Sequence, residues 1–117
     1  MFAGLPVADR DGAADWYARL IGRPADMLPN DAEAAWQLTE SASLYLVTDP
    51  VKAGRGVVTL VVADLRAERA KIAASGIEAG PVEAVGQAGL KCVVPDPDGN
   101  SVALIELYEA SSRVGSE

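Results

Sequence analysis

Two periodicities alternate along the 117-residue chain, and each changes to the other at a residue that caps or breaks an element. Phe2 to Ala8 alternates with period two, placing Leu5 and Val7 on one face and Phe2 and Gly4 on the other, as a strand does. Pro6 lacks an N–H and marks a free edge or a local irregularity there. Asp9, Arg10 and Asp11 supply N-capping acids. Ala13, Trp16, Tyr17, Leu20 and Ile21 then recur at helical spacing until Gly22 stops the run, so Trp16 and Tyr17 are expected to pack a helix onto a sheet. A brief strand over Ala25 to Leu28 and a turn at Pro29-Asn30-Asp31 follow. Ala34 to Thr39 and Ser43 to Val47 read as two strands around Glu40-Ser41-Ala42.

The stretch from Thr48 to Gly56 carries a proline and two glycines and reads as a linker, after which the pattern begins again. Val57 to Ala63 is rich in β-branched residues, and Leu65 to Ser75 has helical character between Asp64 and Gly76. Ile77 to Val85 reads as a strand with Pro81 at an edge, and Gly86 to Gly89 as a loop. Leu90 to Val94 and Ser101 to Tyr108 are strands joined by Asp96-Pro97-Asp98-Gly99-Asn100. That turn has the preset φ, the side-chain acceptors and the glycine that a reversal needs, and on its own it reads as an ordinary hairpin. Val7-Ala8-Asp9 and Val62-Ala63-Asp64 stand in corresponding places, each before a helix that ends at glycine. The two halves thus form a weak internal duplication, each reading strand, helix, strand, strand, strand.

Asp-Pro-Asp-Gly-Asn before a short apolar strand near the C-terminus, with Val-Ala-Asp and Trp-Tyr in their places, resembles the glyoxalase, bleomycin resistance and extradiol dioxygenase group. This is the vicinal oxygen chelate superfamily. The resemblance implies an α+β fold, in which two βαβββ modules form a curved mixed sheet around a cavity with helices on the convex face. A single domain over 1–117 is expected, with module one at about 1–49, a linker at about 50–56, module two at about 57–108 and a flexible tail at 109–117. It also implies where metal ligands would stand: Phe2, Tyr45, Val57 and Ala103. None of Phe2, Val57 and Ala103 can ligate a metal, and Tyr45 is an uncommon ligand. The chain has no histidine and one cysteine, whereas zinc, nickel, copper and non-haem iron sites lean on imidazole or thiolate. No metal, cofactor or catalytic set is therefore expected. Glu106 falls on the opposite face from Ala103 and reads as a surface or interface residue at a strand end.

With the metal removed, the resemblance and strand alternation leave an apolar ligand-binding face of Phe2, Trp36, Tyr45, Val57, Thr59, Ala103 and Ile105, with Gly4 and Val61 beside them. Such a face suits burial and stacking of a small organic molecule. The implied function is a metal-free binder of the bleomycin-resistance kind that sequesters a hydrophobic or cationic antibiotic or metabolite. The alternative is a lyase, isomerase or dioxygenase of the same superfamily with an atypical metal site or none. A homodimer is expected by the same analogy.

Composition narrows the partners further. Hydrophobic residues make up 50% of the chain, and 17 acidic against 10 basic residues give a net charge of -7. That balance disfavours nucleic acid, which needs clustered Lys and Arg, and tolerates cationic small molecules. No apolar run approaches the roughly 18 to 20 residues of a membrane span, and no basic region precedes a hydrophobic stretch at the N-terminus. A cytoplasmic protein without membrane association is expected. Cys92, the lone cysteine, reads as a small buried residue.

Overall fold

The computed structural model describes residues 2–108; the tail expected at 109–117 lies outside the described residues. β1 (Phe2–Val7), α1 (Arg10–Ile21), β2 (Met27–Asn30), β3 (Glu33–Thr39) and β4 (Ala42–Thr48) form the first module. β5 (Val57–Val61), α2 (Leu65–Ala74), β6 (Glu83–Val85), β7 (Gly89–Pro95) and β8 (Ser101–Leu107) repeat its order. Each module has its own mixed four-stranded sheet, ordered β1-β4-β3-β2 and β5-β8-β7-β6. The first strand runs parallel to the last, and the remaining neighbours are antiparallel. The fold is α+β, as the resemblance implies. Among the described residues no helix is long and apolar enough to cross a membrane.

Both helices start where an aspartate meets the open N–H groups of a first turn. Asp9 accepts from Gly12 N at 3.1 Å and Asp64 from Ala67 N at 3.1 Å. Glu106 adds a second acceptor to α2: its Oε1 takes the Leu65 N–H at 2.8 Å. Glu106 is therefore half-buried in an intramolecular role; it does lie opposite Ala103, but as a helix cap and not simply a surface residue. Gly22 closes α1 in the left-handed region at φ 99°, its N–H donating to Ala18 O at 2.8 Å.

The helices cover one face of each sheet, and the two modules share one buried cluster. It joins Leu5, Val7, Trp36, Leu44 and Leu46 of the first sheet with Val58, Cys92, Val94, Val102 and Leu104 of the second. Trp16 and Tyr17 face inward from α1, as expected, with rings 4.8 Å apart edge to face.

Two strands differ from expectation. The strand expected over Ala25 to Leu28 starts at Met27; Asp26 donates its N–H to Ala35 O on β3 at 2.9 Å, but meets the Gln37 N–H of β3 with its side chain. Its carboxylate pairs with Arg23 at 3.1 Å and accepts from Gln37 N at 2.7 Å. Pro29 then lies inside β2, whose register against β3 is irregular. Of the strand expected over Ile77 to Val85, only Glu83–Val85 joins the ladder. Arg69 captures the intervening chain by donating from Nε to Gly80 O at 2.9 Å, and Pro81 has no N–H to offer.

The Asp96–Asn100 turn is more than a hairpin. Asp96 and Asn100 are both buried, at 5% and 0% exposure, and together they clasp the two modules. Asp96 Oδ1 accepts from Asp98 N and Asn100 N, while Oδ2 accepts from Tyr17 OH at 2.8 Å and Asn100 Nδ2 at 2.8 Å. Asn100 Nδ2 also donates to Pro6 O at 2.7 Å, and its Oδ1 accepts from Gly54 N and Gly56 N. One turn of module two thus holds β1, α1 and the linker. Gly56 permits this approach, since a Cβ there would stand 2.7 Å from Leu5 Cδ2 and 3.0 Å from Asn100 Oδ1. Tyr17 is a core residue with a polar task that helical spacing does not show.

Candidate functional site

Opposite the helices, the first sheet carries a pocket built by pairing register. Tyr45 on β4 stands directly between Gly4 on β1 and Ala35 on β3. Its ring lies over Gly4: a Cβ at that glycine would meet Tyr45 Cζ at 2.5 Å and Oη at 2.6 Å. On the other side a cavity of about 330 Å³ opens, lined by Met27, Pro29, Glu33, Ala35 and Tyr45. Four of these are apolar or aromatic, and Glu33 brings the carboxylate. Asn30 Nδ2 donates to Glu33 Oε1 at 2.8 Å and so orients it.

The second sheet presents a separate face. Parallel pairing aligns Val57, Thr59 and Val61 with Ser101, Ala103 and Ile105, so all six point one way. Val57 and Val61 are 73% and 67% exposed. Lys91 and Val93 continue this face on β7, opposite Ile105 and Ala103.

Of the residues expected to bind ligand, the structure brings Tyr45 to the cavity and gathers Val57, Thr59, Ala103 and Ile105 on the second face. None of those four lines the first-sheet cavity. Phe2 opens β1 in register with Ser43. Trp36 is a correction. It is 0% exposed on the helix side, with its ring 6.2 Å from that of Tyr17 and its Nε1 donating to Arg23 O at 2.9 Å. The physical reason is phase. Antiparallel pairing sets Trp36 against Leu44, a core residue, and Ala35 against Tyr45, so Ala35 and Glu33 face the cavity. Sequence reasoning missed Met27, Pro29, Glu33 and Ala35. Glu33, Ala35 and Gln37 alternate with Ala34, Trp36 and Leu38, which is a readable signal once the register is known.

The residues present do not fit a metal centre. Among the described residues no group of three or more His, Cys, Asp and Glu side chains is placed to hold an ion. Cys92 is wholly buried, and burial pushes its thiol pKa up, away from the thiolate that ligation or nucleophilic attack requires.

Two βαβββ modules with the first and last strands of each in parallel register define a glyoxalase-like architecture. The solved structure of a glyoxalase/bleomycin resistance protein from Catenulispora acidiphila DSM 44928 matches with 37% identity and a TM-score of 0.86, over 92% of this chain and 97% of that one. The protein belongs to the glyoxalase/bleomycin resistance protein family of the vicinal oxygen chelate superfamily. A bleomycin-binding protein complexed with bleomycin shares the fold at 22% identity and a TM-score of 0.77, covering 92% of this chain and 98% of its own. So does lactoylglutathione lyase from Agrobacterium tumefaciens, at 18% identity and 0.74, covering 91% of both chains. No family model and no curated protein matches the chain.

Proposed function

We propose that the protein is a metal-free small-molecule binder that sequesters a hydrophobic or cationic antibiotic or metabolite in the cytoplasm, against Tyr45. The observation that carries this reading is the cavity itself, an apolar volume beside one aromatic ring with Glu33 at its wall. Apolar lining drives burial, and the carboxylate favours a positive group on the ligand. The net charge of -7 favours the same sign. The bleomycin complex of the structural relative supports the class of ligand. An enzymatic reading, as lyase, isomerase or dioxygenase, has the fold of the lyase relative in its favour. The donor set speaks against its metal-dependent form.

The test pairs elemental analysis with calorimetric titration of aromatic cations and neutral isosteres. Intrinsic fluorescence is a poor reporter, because Trp16 and Trp36 are both buried on the helix side. Micromolar or tighter binding of a cation is expected, with Glu33→Gln weakening the cation by roughly tenfold, the size of one charge-assisted contact, and sparing the neutral isostere. One tightly bound zinc, iron or nickel per chain, or binding of neither ligand class, would overturn the reading.

We also propose that the protein is a homodimer through the face of Val57 and Val61. Val57 and Val61 are largely exposed on the same face as Thr59, Ala103 and Ile105, and an exposed apolar face of this kind invites cover. Light scattering at micromolar concentration is expected to give twice the 12.1 kDa chain mass, and Val61→Asp is expected to halve it. A monomeric parent protein refutes the proposal.

A further inference from the structure

The β2–β3 turn that brings Glu33 to the cavity is held from α1. Arg10 is the first residue of that helix, and its own N–H donates to Thr48 Oγ1, at the end of β4, at 3.2 Å. Its side chain is only 14% exposed. Nη1 donates to Asn30 O at 3.0 Å and to Glu33 O at 3.1 Å, while Nε pairs with Asp11 Oδ1 at 2.7 Å. One rigid, planar cation therefore grips both ends of the turn.

Asn30 carries that grip to the carboxylate. Its Oδ1 accepts from Ala32 N at 2.8 Å and its Nδ2 donates to Glu33 Oε1 at 2.8 Å, so the amide is fixed at both ends and sets where the carboxylate lies. The far end of the hairpin is fastened separately. There Asp26 N donates to Ala35 O at 2.9 Å, and Asp26 Oδ2 accepts from Gln37 N at 2.7 Å. Between the two fastenings the register of β2 shifts, so the Met27 end does not dictate the position of Asn30.

We propose that Arg10 is a positioning residue for cation selectivity: by clamping the Asn30 and Glu33 carbonyls it holds Asn30 against Glu33, and so aims the carboxylate at the cavity. This rests on the reading of the cavity as a ligand site and adds what directs its charge. Arg10 lines no part of that cavity, and its effect on binding passes through Glu33. Direction matters because a charge-assisted hydrogen bond weakens steeply as it bends. Freed of the clamp, the carboxylate spreads over its rotamers, and a bound cation must gather it at a cost in side-chain entropy.

The experiment is Arg10→Met, which keeps the aliphatic stem and removes every donor. NMR reads the link without any ligand. The Asn30 side-chain amide and the Glu33 carboxylate carbon, assigned by Asn30→Asp and Glu33→Gln, are both expected to shift in Arg10→Met. Binding is read by shift titration with phenyltrimethylammonium and its neutral isostere tert-butylbenzene. Arg10→Met is expected to weaken the cation by roughly 3- to 10-fold, no more than loss of the Glu33 contact itself does, and to change the neutral isostere by less. In the Glu33→Gln background it is expected to change the cation no further, the coupling that a double-mutant cycle isolates. Unmoved Asn30 and Glu33 signals in folded Arg10→Met, equal losses for the two ligands, an equal loss of the cation in both backgrounds, or no preference of the parent protein for the cation overturns the proposal. A parent protein that binds neither ligand counts against the pocket reading, and the two side-chain signals alone then decide the clamp. If Arg10→Met does not fold, Arg10→Lys, which keeps the charge and gives up the rigid fork, is read in the same way.

Discussion

Asn100→Ala is expected to destabilise the protein by about 3 to 5 kcal/mol, lowering Tm by roughly 15 °C, the shift such a loss produces in a domain of this size. Asn100 is 0% exposed and makes four hydrogen bonds to three segments. It donates to Pro6 O and Asp96 Oδ2 and accepts from Gly54 N and Gly56 N, at distances of 2.7 to 3.1 Å. Truncation leaves those partners buried beside a space with no counter-group, and each unmet polar group costs about 1 to 3 kcal/mol. The loss should show in thermal and urea melts. A change under 1 kcal/mol would mean that the turn does not clasp the modules.

The same clasp gives stability an alkaline limit. Burial first, then the hydrogen bond to Asp96 and the charges of Asp96 and Asp98, push the Tyr17 pKa well above the ordinary tyrosine value. The folded state therefore holds a proton that the unfolded chain releases near pH 10. Above about pH 10 the unfolded state binds fewer protons, so stability falls as pH rises, by up to about 1.4 kcal/mol per pH unit from this group. Below pH 10 its contribution is fully present. Tyr17→Phe should cost about 1 to 2 kcal/mol at pH 7, for the lost bond to Asp96, and flatten the alkaline slope. Melts from pH 8 to 11 on both proteins measure this directly. Equal slopes would show that Tyr17 is not the group responsible.

Trp36→Ala and Tyr45→Ala are expected to separate stability from binding. Trp36 is wholly buried against Tyr17, and its removal should cost about 3 to 5 kcal/mol, as large aromatic truncations do. The Arg23 carbonyl that its indole N–H satisfies would also lose a partner. Tyr45 is half-buried over Gly4 at the cavity edge. Tyr45→Ala should shift Tm by only a few degrees while weakening the cation found by titration about 10- to 50-fold, the loss of roughly 50 to 100 Å² of apolar contact at about 25 cal/mol per Å². Calorimetry on folded Trp36→Ala, well below its melting point, should return nearly the parent affinity. If Trp36→Ala weakened binding and spared stability while Tyr45→Ala unfolded the chain, the two faces of the first sheet would be assigned in reverse.

The elements were legible because capping and periodicity are local. Asp9, Gly22 and Asp64 mark helix ends through hydrogen bonds to residues a few positions away. Period-two alternation separated Leu5, Val7, Leu44 and Leu46 from Gly4 and Tyr45 with no knowledge of pairing. The order strand, helix, strand, strand, strand in both halves is also carried by neighbouring residues, and it indicated the fold only together with the resemblance carried by Val-Ala-Asp, Trp-Tyr and Asp-Pro-Asp-Gly-Asn. Asp96-Pro97-Asp98-Gly99-Asn100 was legible as a turn for the same reason.

What the turn does was decided only by tertiary structure, because its partners Pro6, Tyr17, Gly54 and Gly56 lie between 44 and 94 residues away. The face that Trp36 takes was decided there too. Alternation sorts a strand into two faces, but the antiparallel register with β4 chooses which one meets the helix. The same register set Gly4 and Ala35 on either side of Tyr45 and brought Glu33 and Met27 to its cavity. The chain's own pattern determined the modules, their caps and the poverty of metal-binding donors. Long-range pairing determined the clasp and the pocket, since one residue of register moves every side chain of a strand to the other side of its sheet.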